Sequence, residues 1–138
     1  MSATIIHLQL KPAEGVPMKA VSSVEAIANH GLRDDANAGR SKRQVLIIER
    51  ELLDEFQLPV GDVRENITVQ GIQLAGMAAG TRVRVGRALL EVTLDCAPCE
   101  FIEGKRPGLR AAMEGKRGML FKVIEGGEIK VGDEIQIV

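Results

Sequence analysis

Aromatic residues are scarce in this sequence, which has no Trp, no Tyr and three Phe among its 138 residues. Single-stranded nucleic acids stack their bases on aromatic side chains, and nucleic-acid binding also favours a basic surface. The formal net charge is -1, so the chain offers neither feature. The sequence therefore predicts no nucleic-acid partner and a core built from aliphatic side chains.

Long apolar runs and abundant cysteine are also lacking. A membrane-spanning helix needs about 20 consecutive apolar residues, and no run approaches that length. The first residues have neither the basic start nor the apolar stretch of an export signal. Two cysteines are too few for the disulfide framework of a small secreted protein. We therefore expect no membrane segment and a cytoplasmic location.

Short β-type runs with glycine at the joints dominate what is present. The last three of these runs suggest a meander, and the pair around Gly86 and Arg87 suggests a hairpin. Closing such strands into a barrel would remove their open edges. The predicted strands are 4–10, 44–48, 66–69, 82–85, 89–94, 119–124, 128–131 and 135–138.

Helical patterns are few and short. Ile48, Leu52 and Phe56 recur every four residues until Pro59, and 109–114 suggests a second helix. Segment 21–28 is compatible with a short helix or with an irregular strand–helix segment. We expect one domain over residues 1–138. Its predicted class is mainly β (a β-rich α+β fold), a closed or partly open barrel of short antiparallel strands with two or three short helices.

Both cysteines, Cys96 and Cys99, follow the β-type run 88–93, and Pro98 lies between them. Proline cannot donate a backbone hydrogen bond, so the strand should end or bulge there. Cys99 would then lie at the mouth of the sheet, where a ligand can reach it. We take this element as the centre of the candidate site.

The C-x-x-C spacing alone leaves four interpretations open. A structural zinc site needs four ligands, and the only histidines, His7 and His30, are far away in sequence. A redox pair usually opens a helix in a βαβ unit, whereas hairpins surround this pair. Two half-buried cysteines could simply act as small apolar residues. A single thiolate could ligate a soft metal or carry sulfur.

Cationic and amide side chains elsewhere could complete an anion site. Arg64 and Asn66 are two residues apart, a spacing that on a strand places both side chains on one face, where they would suit a phosphate or carboxylate. The alternative is an exposed Arg64–Glu65 pair that contributes little. Arg43, in front of the run 44–48, could form one wall of the same site. Alternatively, it is only a solvated flanking charge.

Several segments, taken in order, resemble a stand-alone MOSC domain, the module named after the C-terminal part of molybdenum cofactor sulfurase. The order of the segments and the cysteine at the end of a strand carry the resemblance together. The matching segments are 15–18, 30–32, 43–47, 61–67, 71–72, 80–86, 96–99 and 131–133.

The resemblance implies roles for particular residues. Cys99 matches the family's characteristic cysteine. In relatives that reduce N-hydroxylated compounds, that cysteine binds the molybdenum of the pterin cofactor (molybdopterin). In the sulfurase it is thought to accept a persulfide from a pyridoxal-phosphate-dependent cysteine desulfurase. Arg64 and Asn66 match a segment that lines the cofactor site, and a thiolate suits a soft metal centre.

On this basis we expect a molybdenum-cofactor-linked sulfur carrier or cofactor-binding protein, with Cys99 as persulfide acceptor or molybdenum ligand. Cys96 would be a neighbouring or resolving thiol, and Arg43 a further cofactor contact. The expected partner is a cysteine desulfurase or a molybdoenzyme, and a homo-oligomer could complete the pocket. The alternatives are a molybdenum-dependent reductase of N-hydroxylated compounds with an external electron donor, or a non-catalytic anion- or pterin-binding module.

Overall fold

A computed structural model describes residues 3–138 of the chain. These residues form two β-sheets and three short helices. No helix in this part of the chain is long and apolar enough to cross a membrane. The elements in order are β1 Thr4–Leu10, β2 Lys19–Val21, β3 Ser23–Ile27, β4 Gly31–Leu32, β5 Val45–Glu49, α1 Arg50–Glu55, β6 Ile67–Gln70, β7 Arg82–Val85, β8 Ala88–Asp95, α2 Glu100–Glu103, α3 Leu109–Ala112, β9 Met119–Glu125, β10 Gly127–Lys130 and β11 Ile135–Ile137.

The larger sheet has eight strands in the order β11-β7-β8-β9-β5-β6-β1-β2, and the smaller has the order β10-β3-β4. The mainly β class and the three short helices confirm the prediction. The closed barrel is wrong, because the larger sheet stays open between β11 and β2. One isolated bridge, between Thr4 and Glu134, joins β1 to the residue before β11. An all-antiparallel arrangement is also wrong, because β5 and β6 run parallel.

The predicted C-terminal meander is wrong too. β9 pairs with β8 and β5, whereas β10 pairs with β3 in the smaller sheet and β11 returns to β7. Gly127 permits this change of sheet, because a Cβ there would lie 2.7 Å from the carbonyl oxygen of Arg87. Segment 21–28 contains no helix. Val24 and Ala26 are buried alternately in β3, which is a strand pattern.

The core is divided by β5, whose five residues are all buried. Val45 and Ile47 point into the main core between the sheets, together with Phe121. On the opposite face, Ile48 packs under the helices and Leu46 packs beside Cys96. A strand covered on both faces is expected to be strongly apolar, and each buried aliphatic side chain contributes about 1.5–3 kcal/mol. β5 is therefore the rigid support behind the cysteine element.

Candidate functional site

The cysteine element begins where β8 ends. The Cys96 amide donates to the carbonyl oxygen of Gly118 at 2.9 Å, so the pairing with the chain before β9 continues one residue beyond Asp95. The chain then leaves the sheet, and Cys99 is the N-cap residue of α2. β8 therefore ends three residues before Pro98, which agrees with the strand end predicted near the proline.

The two thiols lie in different surroundings, and neither forms a disulfide. Cys99 is exposed, whereas Cys96 is 5% exposed and packs against Leu46 and Leu120. One guanidinium nitrogen of Arg43, Nη2, lies 3.9 Å from Cys96 Sγ, which is a weak contact. Cys99 is thus the thiol that a ligand or partner can reach, and Arg43 contacts the other.

Arg64 is held beside α2 by an aromatic ring. Its guanidinium carbon lies 3.9 Å from the centre of the Phe101 ring, and Lys105 Nζ lies 4.6 Å from the same centre. Lys105 also pairs with Asp62 at 2.8 Å. Among the described residues the Arg64 guanidinium has no hydrogen-bond or ion-pair acceptor, whereas the Arg64 backbone amide donates to the carbonyl oxygen of Gly61. The guanidinium donors are therefore oriented but free, and the ring that orients them follows Cys99 by two residues.

The backbone of Arg64 is strained. Its φ is +63°, in the left-handed region that non-glycine residues rarely occupy. This conformation costs about 1–2 kcal/mol. Asn29, Asp34 and Gln57 also have a positive φ, so the strain by itself assigns no role to Arg64.

Asn66 does not share a face with Arg64, which corrects the prediction from spacing. The left-handed residue interrupts the two-residue alternation, so Arg64 is exposed while Asn66 is 1% exposed. Asn66 Oδ1 accepts from the Leu46 amide at 3.0 Å. Its Nδ2 donates to the Gln9 carbonyl at 3.2 Å and to Asp35 Oδ1 at 3.1 Å. Both amide hydrogens are therefore already used within the protein.

Asp35 extends this buried network into the loop after β4. Its carboxylate accepts from the backbone amides of Lys11 at 2.8 Å and Asn37 at 3.1 Å, in addition to Asn66. The network ties the loop to β1 and β5. Sequence reasoning missed Asp35 and Phe101, because neither belongs to a spaced motif. The one signal in the sequence that could have pointed to Phe101 is its position two residues after Cys99.

The carboxylates near the thiols differ in their surroundings. Desolvation raises the pKa of Asp95, and the nearby charge of Glu114 adds to the effect. The backbone amides of Gly108 and Arg110 donate to Glu103 at 2.9 and 3.1 Å, and these bonds lower the pKa of Glu103. Glu103 thereby joins α2 to the start of α3.

The arrangement suits an anionic ligand with a soft metal or a sulfane sulfur. An exposed thiol can ligate molybdenum or form a persulfide, and a guanidinium with free donors can bind phosphate. Within residues 3–138 no group of three or more His, Cys, Asp or Glu side chains could hold a metal ion.

Comparisons with known proteins identify the family and the fold. The sequence profile described as "MOSC domain" matches residues 30–136. No curated protein sequence matches the chain. The crystal structure of the YuaD protein from Bacillus subtilis superposes with a TM-score of 0.78 at 20% identity, over 99% of this chain and 96% of that one.

Two structures of YiiM are also similar. The protein from Geobacillus stearothermophilus gives a TM-score of 0.78 at 19% identity, over 99% of this chain and 75% of its own. The protein from Escherichia coli gives 0.73 at 20% identity, over 98% and 69%. At these identities the structures establish a common fold, and the profile match establishes the family. The chain belongs to the MOSC domain family.

Proposed function

We propose that this protein acts in molybdenum-cofactor-linked sulfur chemistry, with Cys99 as the residue that accepts sulfur or ligates molybdenum. The observation that carries the proposal is the exposed thiol at the end of β8, followed by a ring that holds the free guanidinium of Arg64. Family membership supports the same chemistry at a coarser level.

As a sulfur acceptor, the Cys99 thiolate attacks the terminal sulfur of a persulfide on a pyridoxal-phosphate-dependent desulfurase. A new S–S bond forms at Cys99 while the donor's S–S bond breaks, and the donor cysteine leaves as a thiolate. The number of protons and electrons is conserved, so no further oxidant is needed. The Cys99 persulfide would then pass its sulfur to a molybdoenzyme or its cofactor.

As a molybdenum ligand, Cys99 would hold the metal while Arg64 binds the phosphate of the pterin, with Arg43 as a second cation. The bound cofactor would supply two-electron redox chemistry, with electrons from an external donor. Asn66 would support this site indirectly, because its amide hydrogens bind Gln9 and Asp35.

The test compares two cysteine variants prepared from a host that makes the cofactor. Molybdenum, pterin and protein-bound persulfide are measured in the wild type, Cys99→Ser and Cys96→Ala. We expect Cys99→Ser to lose all three signals and Cys96→Ala to keep most of them, because only Cys99 is exposed. If Cys99→Ser loses only the persulfide, Cys99 is a sulfur acceptor. If Cys99→Ser also loses molybdenum, Cys99 is a molybdenum ligand.

A Cys99→Ser protein that retains all three signals would refute the proposal. Equal loss in both variants would favour a redox pair instead. Cys96 is buried, so thermal unfolding of its variant must show that the fold is intact.

A further inference from the structure

A large cavity lies where the chain passes from the larger sheet to the smaller one. Its volume is about 800 Å³, which is within the usual range for ligand pockets. β2 belongs to the larger sheet and β3 to the smaller, so the chain changes sheets at Ser22. Neither cysteine lines the cavity, and neither does Arg43 or Arg64. The cavity is therefore separate from the candidate site around Cys99.

The floor of the cavity is one face of segment 19–25, which comprises β2, Ser22 and the start of β3. Successive side chains of an extended chain point to opposite faces, so alternate residues share a face. Apart from the buried Val24, the lining residues of this segment follow that alternation. They are Lys19, Val21, Ser23 and Glu25.

The end of the floor at Glu25 has an excess of negative charge. Glu25 lies directly opposite Glu128 in the pairing of β3 with β10, an unfavourable position for two like charges. Arg33 pairs with Glu25 at 3.2 Å, and Lys130 pairs with Glu128 at 3.4 Å. Asp34 also lines the cavity, and its carboxylate has no ion-pair or hydrogen-bond partner among the described residues. The charge of Asp34 is therefore available to a ligand.

The other end of the floor has an unpaired positive charge. Lys19 is exposed, and within residues 3–138 its ammonium group has no ion-pair or hydrogen-bond partner. Leu10, which lies opposite Lys19, forms an apolar wall there with Pro12 and Val21. Lys19 and Glu25 are six residues apart, a span of up to about 20 Å in an extended chain. The two ends therefore match a ligand whose opposite charges are far apart.

A short peptide with free termini has this charge separation, whereas in a free amino acid both charged groups are attached to one carbon. Four extended residues span up to about 14 Å, which fits between the two ends of the floor. We propose that this cavity binds a short zwitterionic peptide, with its ammonium terminus at Asp34 and its carboxylate terminus at Lys19. The site contains no residue of the cysteine element, so this binding function does not depend on the proposed sulfur chemistry.

The proposal is tested with tetraalanine that has free termini. The matched ligands are N-acetylated tetraalanine, tetraalanine amide and alanine itself. Titration calorimetry at low salt measures affinity, and NMR follows the amides of Ser23 and Gly127, which line the cavity. We expect tetraalanine to bind at millimolar concentration and to shift both amides. Each capped peptide should bind about three- to fivefold more weakly, the factor expected when one exposed ion pair is lost.

Two variants test the two ends separately. Asp34→Asn removes the charge, and asparagine tolerates the positive φ of +66° at this position. It should weaken binding of tetraalanine by the same factor but leave binding of the acetylated peptide unchanged. Lys19→Met should weaken binding of tetraalanine and leave binding of the amide unchanged. Lys122→Met is the control, because Lys122 pairs with Glu91 at 3.4 Å and does not line the cavity.

Both test residues are exposed and unpaired, so their variants should melt at the temperature of the wild type. Absence of tetraalanine binding to the wild type would overturn the proposal. Equal binding of the free and capped peptides would contradict the assigned charges. Alanine that binds as tightly as tetraalanine would exclude a peptide as the preferred ligand.

Discussion

Replacing Asn66 by alanine should destabilise the protein far more than replacing an exposed polar residue would. The side chain makes three hydrogen bonds, to Leu46, Gln9 and Asp35, and it is 1% exposed. A hydrogen bond contributes about 1 kcal/mol net, and a buried group left unpaired costs more. We therefore expect Asn66→Ala to lower the free energy of unfolding by about 3 kcal/mol.

Urea unfolding followed by circular dichroism measures this change, with a lower midpoint and an unchanged slope. Asn37→Ala is the matched control, because the Asn37 side chain accepts one long, exposed bond, at 3.4 Å from Arg40. It should lose less than about 0.5 kcal/mol. A loss below about 1 kcal/mol in Asn66→Ala would refute the argument that this amide is a structural anchor.

Three other predictions follow from the contacts around α2 and from the passage between sheets. Phe101→Leu should slow persulfide uptake by Cys99 several-fold without unfolding the protein, because Arg64 loses the ring that orients it. The pKa of Glu103 is lowered, so its stabilising effect is present above the ordinary value of 4.5 and is lost as pH falls through the lowered pKa. The protection of the Gly108 amide from exchange, relative to its intrinsic rate at each pH, should therefore fall in acid. Gly127→Ala should cost about 1–3 kcal/mol in thermal unfolding, because its Cβ would contact a carbonyl oxygen at 2.7 Å.

Each of these has a clear contrary outcome. If persulfide uptake is unchanged in Phe101→Leu, the Phe101 ring has no role in the reaction of Cys99. Glu103→Gln should abolish the acid-dependent change in amide exchange at Gly108. If the change persists in this variant, another group is responsible for it. Gly104→Ala is the control for Gly127→Ala, since its nearest contact would be 3.4 Å. Equal melting temperatures for the two alanine variants would contradict the steric argument.

Local pattern predicted much of the secondary structure. β1 has the bounds of the first β-type run, and β7 and β8 form the expected hairpin. The alternation of apolar residues and the turn at Gly86 were sufficient to predict this hairpin, because both depend only on residues that are close in sequence. The end of β8 near Pro98 was predictable for the same reason, since proline removes a donor.

Long-range pairing was not predictable from the same signals. The parallel contact of β5 with β6 and the move of β10 to the smaller sheet depend on residues distant in sequence. The site shows the same limit. Arg64 and Asn66 have strand spacing, but a left-handed φ at Arg64 turns the two side chains to different environments. No propensity of arginine indicates that conformation, because the surrounding structure imposes it.

The backbone of Arg64 implies a stability–activity trade-off. Glycine adopts a positive φ without steric penalty, so Arg64→Gly would relieve the unfavourable geometry even though it discards a charged group. The same replacement would remove the cation that stacks on the Phe101 ring. Selection for thermal tolerance alone would therefore favour a more robust protein with a weaker site at this position.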